Sequence, residues 1–325
     1  INRSNKRFDS ILQDVSNAMN HSKNKINTQI IFDGNEIQRI SNNIASINMV
    51  KIESTISVIK ENSFKGFSAL KEITIPASIT DIGSKSFKNC TSLTRILLPK
   101  TLKSLGEGCF IGCSSLIEIE IPPLITEIPS FTFEKCSNLS KILIPPNIKS
   151  ICSYAFAECH KLDDFLIPPS INNIGNYAFY DCKSLKYINV TSSSIFIASN
   201  AFNECESLEL IGIRKEIKFT GLNPSVKIIV DDDESEIFWK FGSMLKDGDG
   251  IKTDKEKAIK YYKKSIFKGN TKAMNSYADM IFHGDGIPIN KAEALKLYKA
   301  TADNGNVQAM NSYANMMYQG DGVQS

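Results

Sequence analysis

Six cysteines stand 23 residues apart, at Cys90, Cys113, Cys136, Cys159, Cys182 and Cys205. Such a row of thiols could hold a metal, close disulfides or supply a nucleophile. Zinc is disfavoured, because no C-x-x-C pair occurs. A nucleophile needs a base that faces it. Cys159 is followed by His160, but that slot holds Thr91, Ser114, Ser137, Lys183 and Glu206 in the other copies, so it reads as a variable surface position beside an inward one. His21 and His283 have no partner in the sequence. Asp247-Gly248-Asp249-Gly250 has the look of a calcium loop, yet Lys252 stands where an EF-hand needs glycine and Ala258 where its bidentate glutamate belongs. Gly106, Gly108 and Gly112 have the wrong spacing for a dinucleotide fingerprint. No catalytic residue, cofactor or metal site is expected, and the chain is not read as an enzyme.

The elements that position the thiols explain them better. Each cysteine lies three residues after a phenylalanine, Phe87 to Phe202, and three before a leucine, Leu93 to Leu208. An earlier copy has Phe64, Leu70 and Phe67 in the cysteine slot. The template is F-x-x-C-x-x-L-x-x-I-x-I-P-x-x-I-x-x-I-G-x-x-small, as in Phe133, Cys136, Leu139, Ile142, Ile144, Pro145, Ile148 and Ile151. The apolar residues before the proline alternate with variable ones, the period of a half-buried strand, and the proline ends it because it has no N–H to donate. The later I-x-x-I pair suits a second short extended segment. The slot before each phenylalanine holds Ser63, Ser86, Cys109, Thr132, Ala155, Ala178 and Ala201, small enough to press against a neighbouring copy. A fixed period of this length predicts a solenoid whose rungs, about 4.8 Å apart, stack Phe, Leu, Ile and Cys into a common core. The repeat then accounts for all eight cysteines, with Cys109 in the small slot and Cys152 in the glycine slot. A buried thiol acts there as a small hydrophobe. Disulfides between rungs are within geometric reach but add little to such a core, and reduced thiols lean towards a reducing compartment.

A degenerate rung is expected first, through Ile44, Ile47, Val50, Ile52, Ile56 and Ile59. The register fails after Ile213, and Val226–Val230 reads as a closing strand. These repeats resemble the BspA-like leucine-rich repeat family, known from surface proteins of oral bacteria and from anaerobic protozoan parasites. The resemblance implies a leucine-rich-repeat fold and protein binding, in some members as adhesins.

After the acidic run Asp231-Asp232-Asp233-Glu234 the period becomes 36. Gly248 and Gly250 recur as Gly284 and Gly286, then as Gly320 and Gly322. Ala258, Tyr262 and Gly269 recur as Ala294, Tyr298 and Gly305. The six residues from Ala273 to Ala278 recur unchanged at 309–314. Each unit reads as two amphipathic helices, the first ended by glycine. This resembles the Sel1-like repeat family, relatives of tetratricopeptide repeats, and implies a helical superhelix that gathers other proteins. Trp239 replaces the asparagine seen at 275 and 311 and is expected in the core, with a cap or a contact to the last strand-built rung as the alternative. Seven lysines lie from Lys252 to Lys268, with Lys257, Lys260, Lys264 and Lys268 on one helical face. That face reads as solvated, with docking of an acidic partner as the alternative.

The expected fold is therefore multidomain: a β-rich leucine-rich-repeat solenoid of parallel strands, followed by an all-α Sel1-like superhelix. The expected segments are 1–29 as an N-terminal cap, with Phe8, Ile11, Leu12, Val15 and Met19 at helical spacing, 30–230 as the solenoid, 231–234 as an acidic boundary and 235–325 as helical repeats. The chain of 325 residues, with 42% hydrophobic and 22% charged residues, suits a folded protein of two or three units. A net charge of +3 is too small to argue for nucleic acid or an anionic surface as a partner, no nucleic acid is expected, and no apolar run is long enough to form a membrane helix. The missing initiator methionine and an end inside a repeat suggest a fragment. Five N-x-S/T sequons, at Asn2, Asn20, Asn89, Asn138 and Asn189, match what chance gives in a chain rich in Asn, Ser and Thr.

Binding is expected at the outward strand positions. The first column runs Glu72, Arg95, Glu118, Lys141, Asp164, Tyr187 and Leu210, and alternates in sign over its first five members. The second runs Thr74, Leu97, Glu120, Leu143, Leu166, Asn189 and Gly212. Leu97, Leu143, Leu166, Tyr187 and Leu210 form a candidate apolar patch. Other proteins are the expected partners, with no oligomeric state implied. The reading is an interaction scaffold or adaptor, cytoplasmic; a cell-surface adhesin is one alternative and a regulatory region of a larger enzyme, such as a kinase, another.

Overall fold

The structure is a computed structural model that describes residues 29–32, 36–37, 44–217, 222 and 224–322; the N-terminal helical pattern lies outside them. It forms two compact units. One holds residues up to Asp163 with Ser170–Leu185 and Ile195–Ser207; the other holds Asp164–Pro169, Lys186–Ser194 and residues from Leu208.

In the first unit every strand pairing is parallel. Strands β1 (Gln29–Phe32), β3 (Met49–Ile52) and β5 (Glu72–Thr74) form one sheet, and β8 (Glu118–Glu120) and β10 (Lys141–Leu143) another. The two-residue strands β2 (Glu36–Ile37), β4 (Val58–Ile59), β6 (Asp81–Ile82) and β7 (Ser104–Leu105) form a third sheet. A fourth joins β9 (Glu127–Ile128), β11 (Ser150–Ile151), β13 (Asn173–Ile174) and β15 (Phe196–Ile197). These short strands are the expected I-x-x-I segments. Registers such as Glu118↔Lys141 and Ser150↔Asn173 carry the 23-residue period. The rung ending at Pro99 keeps only the bridge Arg95↔Glu118.

The turns between these sheets form a further ladder. The N–H groups of Asn62, Phe64 and Gly66 donate to the carbonyls of Ser84, Ser86 and Lys88 in the next rung, and later rungs repeat this. The geometry requires left-handed backbone every 23 residues, at Asn62, Lys85, Gly108, Phe131, Tyr154 and Tyr177 and at Gly66, Asn89, Gly112, Lys135, Glu158, Asp181 and Glu204. Inside, the Phe64–Phe202 ladder stacks ring on ring at 5.2–5.7 Å. Such pairs add about 0.5–1.5 kcal/mol each beyond area burial. Ser63, Ser86, Cys109, Thr132, Ala155, Ala178 and Ala201 are buried as expected.

The second unit joins a parallel sheet of β12 (Asp164–Ile167), β14 (Tyr187–Val190), β16 (Leu210–Ile213) and β17 (Lys227–Val230) to five helices. β17 is the expected closing strand, with Leu210 opposite Lys227. The helices are α1 (Glu234–Asp247), α2 (Lys255–Phe267), α3 (Thr271–His283), α4 (Lys291–Asp303) and α5 (Val307–Gln319). Asp233, Asp254, Asn270, Asn290 and Asn306 cap their N-termini, each side chain accepting a backbone N–H of the first turn. Gly248, Gly284 and Gly320 close α1, α3 and α5 in the left-handed conformation. In the acidic run, Asp231 binds Lys240, Asp232 binds Lys215 and Asp233 is the first cap.

Candidate interaction surfaces

The six ladder thiols point inward. Each Sγ–H donates to the carbonyl of the phenylalanine one rung back, from Cys90 to Phe64 (3.2 Å) through to Cys205 to Phe179 (3.0 Å). Those carbonyls already accept a turn N–H, so the thiol fills their second lone pair. All eight cysteines are free, and only Cys152 is part-exposed. Burial pushes the Cys136, Cys159 and Cys182 thiols well up, away from the reactive thiolate. His160 turns to Asp181, at 3.0 Å, rather than to Cys159. Among the described residues no group of three or more His, Cys, Asp or Glu is arranged to hold a metal. The thiol-to-carbonyl bonds were not foreseen; the hint was that the slot is cysteine six times over rather than alanine or valine.

On the outward side of the first unit, Glu118 forms ion pairs with both neighbours, Arg95 at 3.2 Å and Lys141 at 3.6 Å, as the alternating signs predict. These exposed pairs stabilise the sheet by about 0.2–1 kcal/mol each. Beside them Leu97 is 67% and Leu143 52% exposed, with Glu120, also exposed, between them in register. A groove of about 400 Å³ runs beside this row, lined by Thr94, Ser115, Ile117, Asn138, Ser140 and Lys161. Ile117 is half exposed and belongs with the two leucines. Its signal in the sequence was an apolar residue in a slot that holds Lys71, Thr94 and Ser140 elsewhere.

In the second unit the same columns behave differently, which corrects part of the expected patch. Leu166 is exposed, but Tyr187, Asn189 and Leu210 are buried, at 1%, 1% and 0% exposure. Tyr187, Leu210 and Ile229 share a core with Ile237, Phe238, Phe241 and Leu245 of α1 and with Ala258 and Tyr261 of α2. Apolar residues in these outward slots are therefore the seat of a helix here, not a free surface. Asp164 is likewise occupied, accepting the Tyr261 hydroxyl at 2.7 Å. The lysine face of α2 is not simply solvated: Lys257 lies over the Tyr187 ring, Lys264 over Tyr261 and Phe238, and Lys268 pairs with Glu234. Lys260 alone of the four stays exposed with no such contact. Trp239 is half-buried against the helical core and donates to Ser276.

The helical repeats carry a polar seam. Tyr262 donates to Ser243 at 3.3 Å and Tyr298 to Asp279 at 2.5 Å, each tyrosine bridging two helices. Lys246, Asp279, Met280, His283, Gly284 and Asp285 line a cleft of about 350 Å³ at the end of this seam. No helix among the described residues is long and apolar enough to cross a membrane.

The family model described as the BspA type leucine rich repeat region matches residues 35–163 and 126–223, and that of the Sel1 repeat matches 240–270 and 271–306. No curated protein matches the chain. Among solved structures, a leucine rich repeat protein of T. pallidum is 23% identical, covering 48% of this chain and 71% of that one, with a TM-score of 0.41. A leucine-rich repeat protein from Bacteroides ovatus is 25% identical over 58% of this chain and 64% of that one, with a TM-score of 0.38. A Sel1 repeat protein from Oxalobacter formigenes is 25% identical over 28% of this chain and 37% of that one, with a TM-score of 0.27. The chain thus spans less than two thirds of the last two.

Proposed function

We propose that this chain, which belongs to the BspA type leucine rich repeat family and continues into Sel1 repeats, is a non-catalytic scaffold that binds other proteins on two preformed surfaces. The observation that carries the reading is the pair of exposed leucines, Leu97 and Leu143, set in an ion-paired strand row above a closed core. The outward residues Arg95, Glu118, Glu120 and Lys141 frame that surface, and the polar seam of the helical repeats is the second. Nothing in the ladder offers chemistry, since its thiols are buried and spent on carbonyls.

Photo-crosslinking with a reactive residue in place of the exposed Ser140, which lines the groove beside the leucine row, tests this. Leu97→Ser/Leu143→Ser/Leu166→Ser keeps the core and should lose most crosslinked partners. Unchanged partners would defeat the proposal. A cell-surface adhesin is the second reading, favoured by the family; surface biotinylation of intact cells that express the whole gene separates it from an intracellular adaptor.

A further inference from the structure

We infer that the partner of the Leu97–Leu143 surface is an amphipathic α-helix, with apolar residues seven apart and a basic residue midway. The inference rests on the binding role proposed for that surface, and the second unit supplies its precedent. There the first column holds Tyr187 and Leu210 and the second holds Asn189, Gly212 and Ile229, and what covers them is helical: Ile237, Phe238, Phe241 and Leu245 of α1, with Tyr261 of α2. The polar slot at Asp164 is met by a donor from a helix as well. In the first unit the second column, that of Asn189, Gly212 and Ile229, carries Leu97, Glu120 and Leu143, and these are exposed. Strands of the same repeat pattern that take a helix on their outward columns in one unit offer a like seat for a helix in the other.

The spacing sets what the helix must carry. Rungs lie about 4.8 Å apart, so Leu97 and Leu143, two rungs apart in one column, are separated by about 10 Å. A helix advances about 1.5 Å per residue, so residues i and i+7 span about 10.5 Å along one face. Two apolar residues at that spacing seat on the two leucines. The residue at i+3 or i+4 then falls over Glu120, for which the described residues show no ion pair. A lysine or arginine there gains a partner as the helix excludes water. Ile117, beside the row, extends the apolar floor. An extended strand would instead bring its alternate side chains about 6.6 Å apart, out of step with every rung or every second rung.

The test uses the full chain and a hydrocarbon-stapled helical peptide with leucines seven residues apart and an arginine three after the first. Its control has a central proline that breaks the helix. Fluorescence anisotropy should show the stapled helix binding roughly tenfold more tightly than the control, and Leu97→Asp/Leu143→Asp should remove that difference. Glu120→Lys leaves both leucines in place. It should weaken the arginine peptide and favour one with glutamate at that position. Equal or tighter binding of the proline-broken peptide, no binding of the stapled helix, or binding indifferent to the leucine changes would overturn the inference. If crosslinked partners still depend on Leu97 while the stapled helix does not bind, only the helical partner falls. If partners ignore the leucines too, the binding role falls with it.

Discussion

The strand-built core and the helical array solve the same repeat problem in opposite ways. In the strand-built unit like stacks on like: Phe on Phe at 5.2–5.7 Å and each thiol on the phenylalanine carbonyl one rung back. In the helical array unlike residues interlock. The Tyr262 ring fills the place beside Gly242, 2.5 Å from where a Cβ would stand, and Tyr298 reaches across to Asp279. A self-stacking ladder passes a defect to the rungs on both sides. An interlocked helix pair confines it to one joint. The first should therefore be sensitive at any rung, the second only at its bridging residues.

The harshest way to break that comparison is Cys136→Asp, which buries a charge with no partner between two phenylalanine rungs. A loss of at least about 4 kcal/mol is expected, enough to unfold the strand-built unit. Urea melts followed by circular dichroism check it, and a wild-type midpoint would show that the ladder does not face a closed core. Cys136→Ser keeps a donor for the Phe110 carbonyl and should cost only about 1–2 kcal/mol.

The thiols also give the ladder a pH signature, which sets in at lower pH than that of the buried helical tyrosines Tyr262 and Tyr298. Burial holds Cys136, Cys159 and Cys182 protonated in the folded chain, above the ordinary thiol pKa of about 8.5. The folded state thus binds more protons than the unfolded one. Stability is full below that value and falls as pH rises past it, by about 1.4 kcal/mol per pH unit for each such thiol. Denaturant melts between neutral pH and pH 10 should show the slope, and Cys159→Ala should make it shallower by one thiol's share. An unchanged slope would mean that the thiol already titrates freely.

On the helical side, Tyr298→Phe removes one bridge and leaves the Asp279 carboxylate short of a donor. A loss of about 1.5–3 kcal/mol is expected, since the acceptor is charged. Hydrogen exchange should show it confined to α3, α4 and α5. Protection lost evenly through the strand-built unit would contradict the contrast between ladder and joint.

Much of this was legible because period is a strong signal. The Phe, Cys, Leu and Ile slots, the proline stops, the small slot and the glycine caps all sit where the repeats put them. What stayed hidden was chemistry that side-chain identity does not encode. The left-handed turn positions carry glycine only at Gly66, Gly108 and Gly112; elsewhere Asn, Lys, Glu, Asp and aromatics hold them. A non-glycine residue there costs about 1–2 kcal/mol, offset by the inter-rung N–H bonds and, at Phe131, Tyr154 and Tyr177, by rings stacked at 5.0–5.1 Å. Tyr187, Asn189 and Leu210 were misplaced for another reason. Strand alternation says which face a residue is on, but not whether a helix covers that face.

Asn189 carries the smallest effect and the sharpest test of that cover. It occupies an outward slot yet is 1% exposed, and neither its side-chain oxygen nor its nitrogen has a hydrogen-bond partner. Ile237 and Phe241 of α1 crowd the neighbouring Gly212, whose missing Cβ leaves room for them. An amide shut in with no partner costs about 1–3 kcal/mol relative to one in water. Asn189→Val removes that burden and suits a strand, so it should raise stability by about 1 kcal/mol. If α1 did not close over this slot, the amide would be hydrated in the folded chain and the valine would expose apolar surface for no gain. A midpoint unchanged or lowered in thermal melts would therefore count against the helical cover, and with it the precedent for a helix on Leu97 and Leu143.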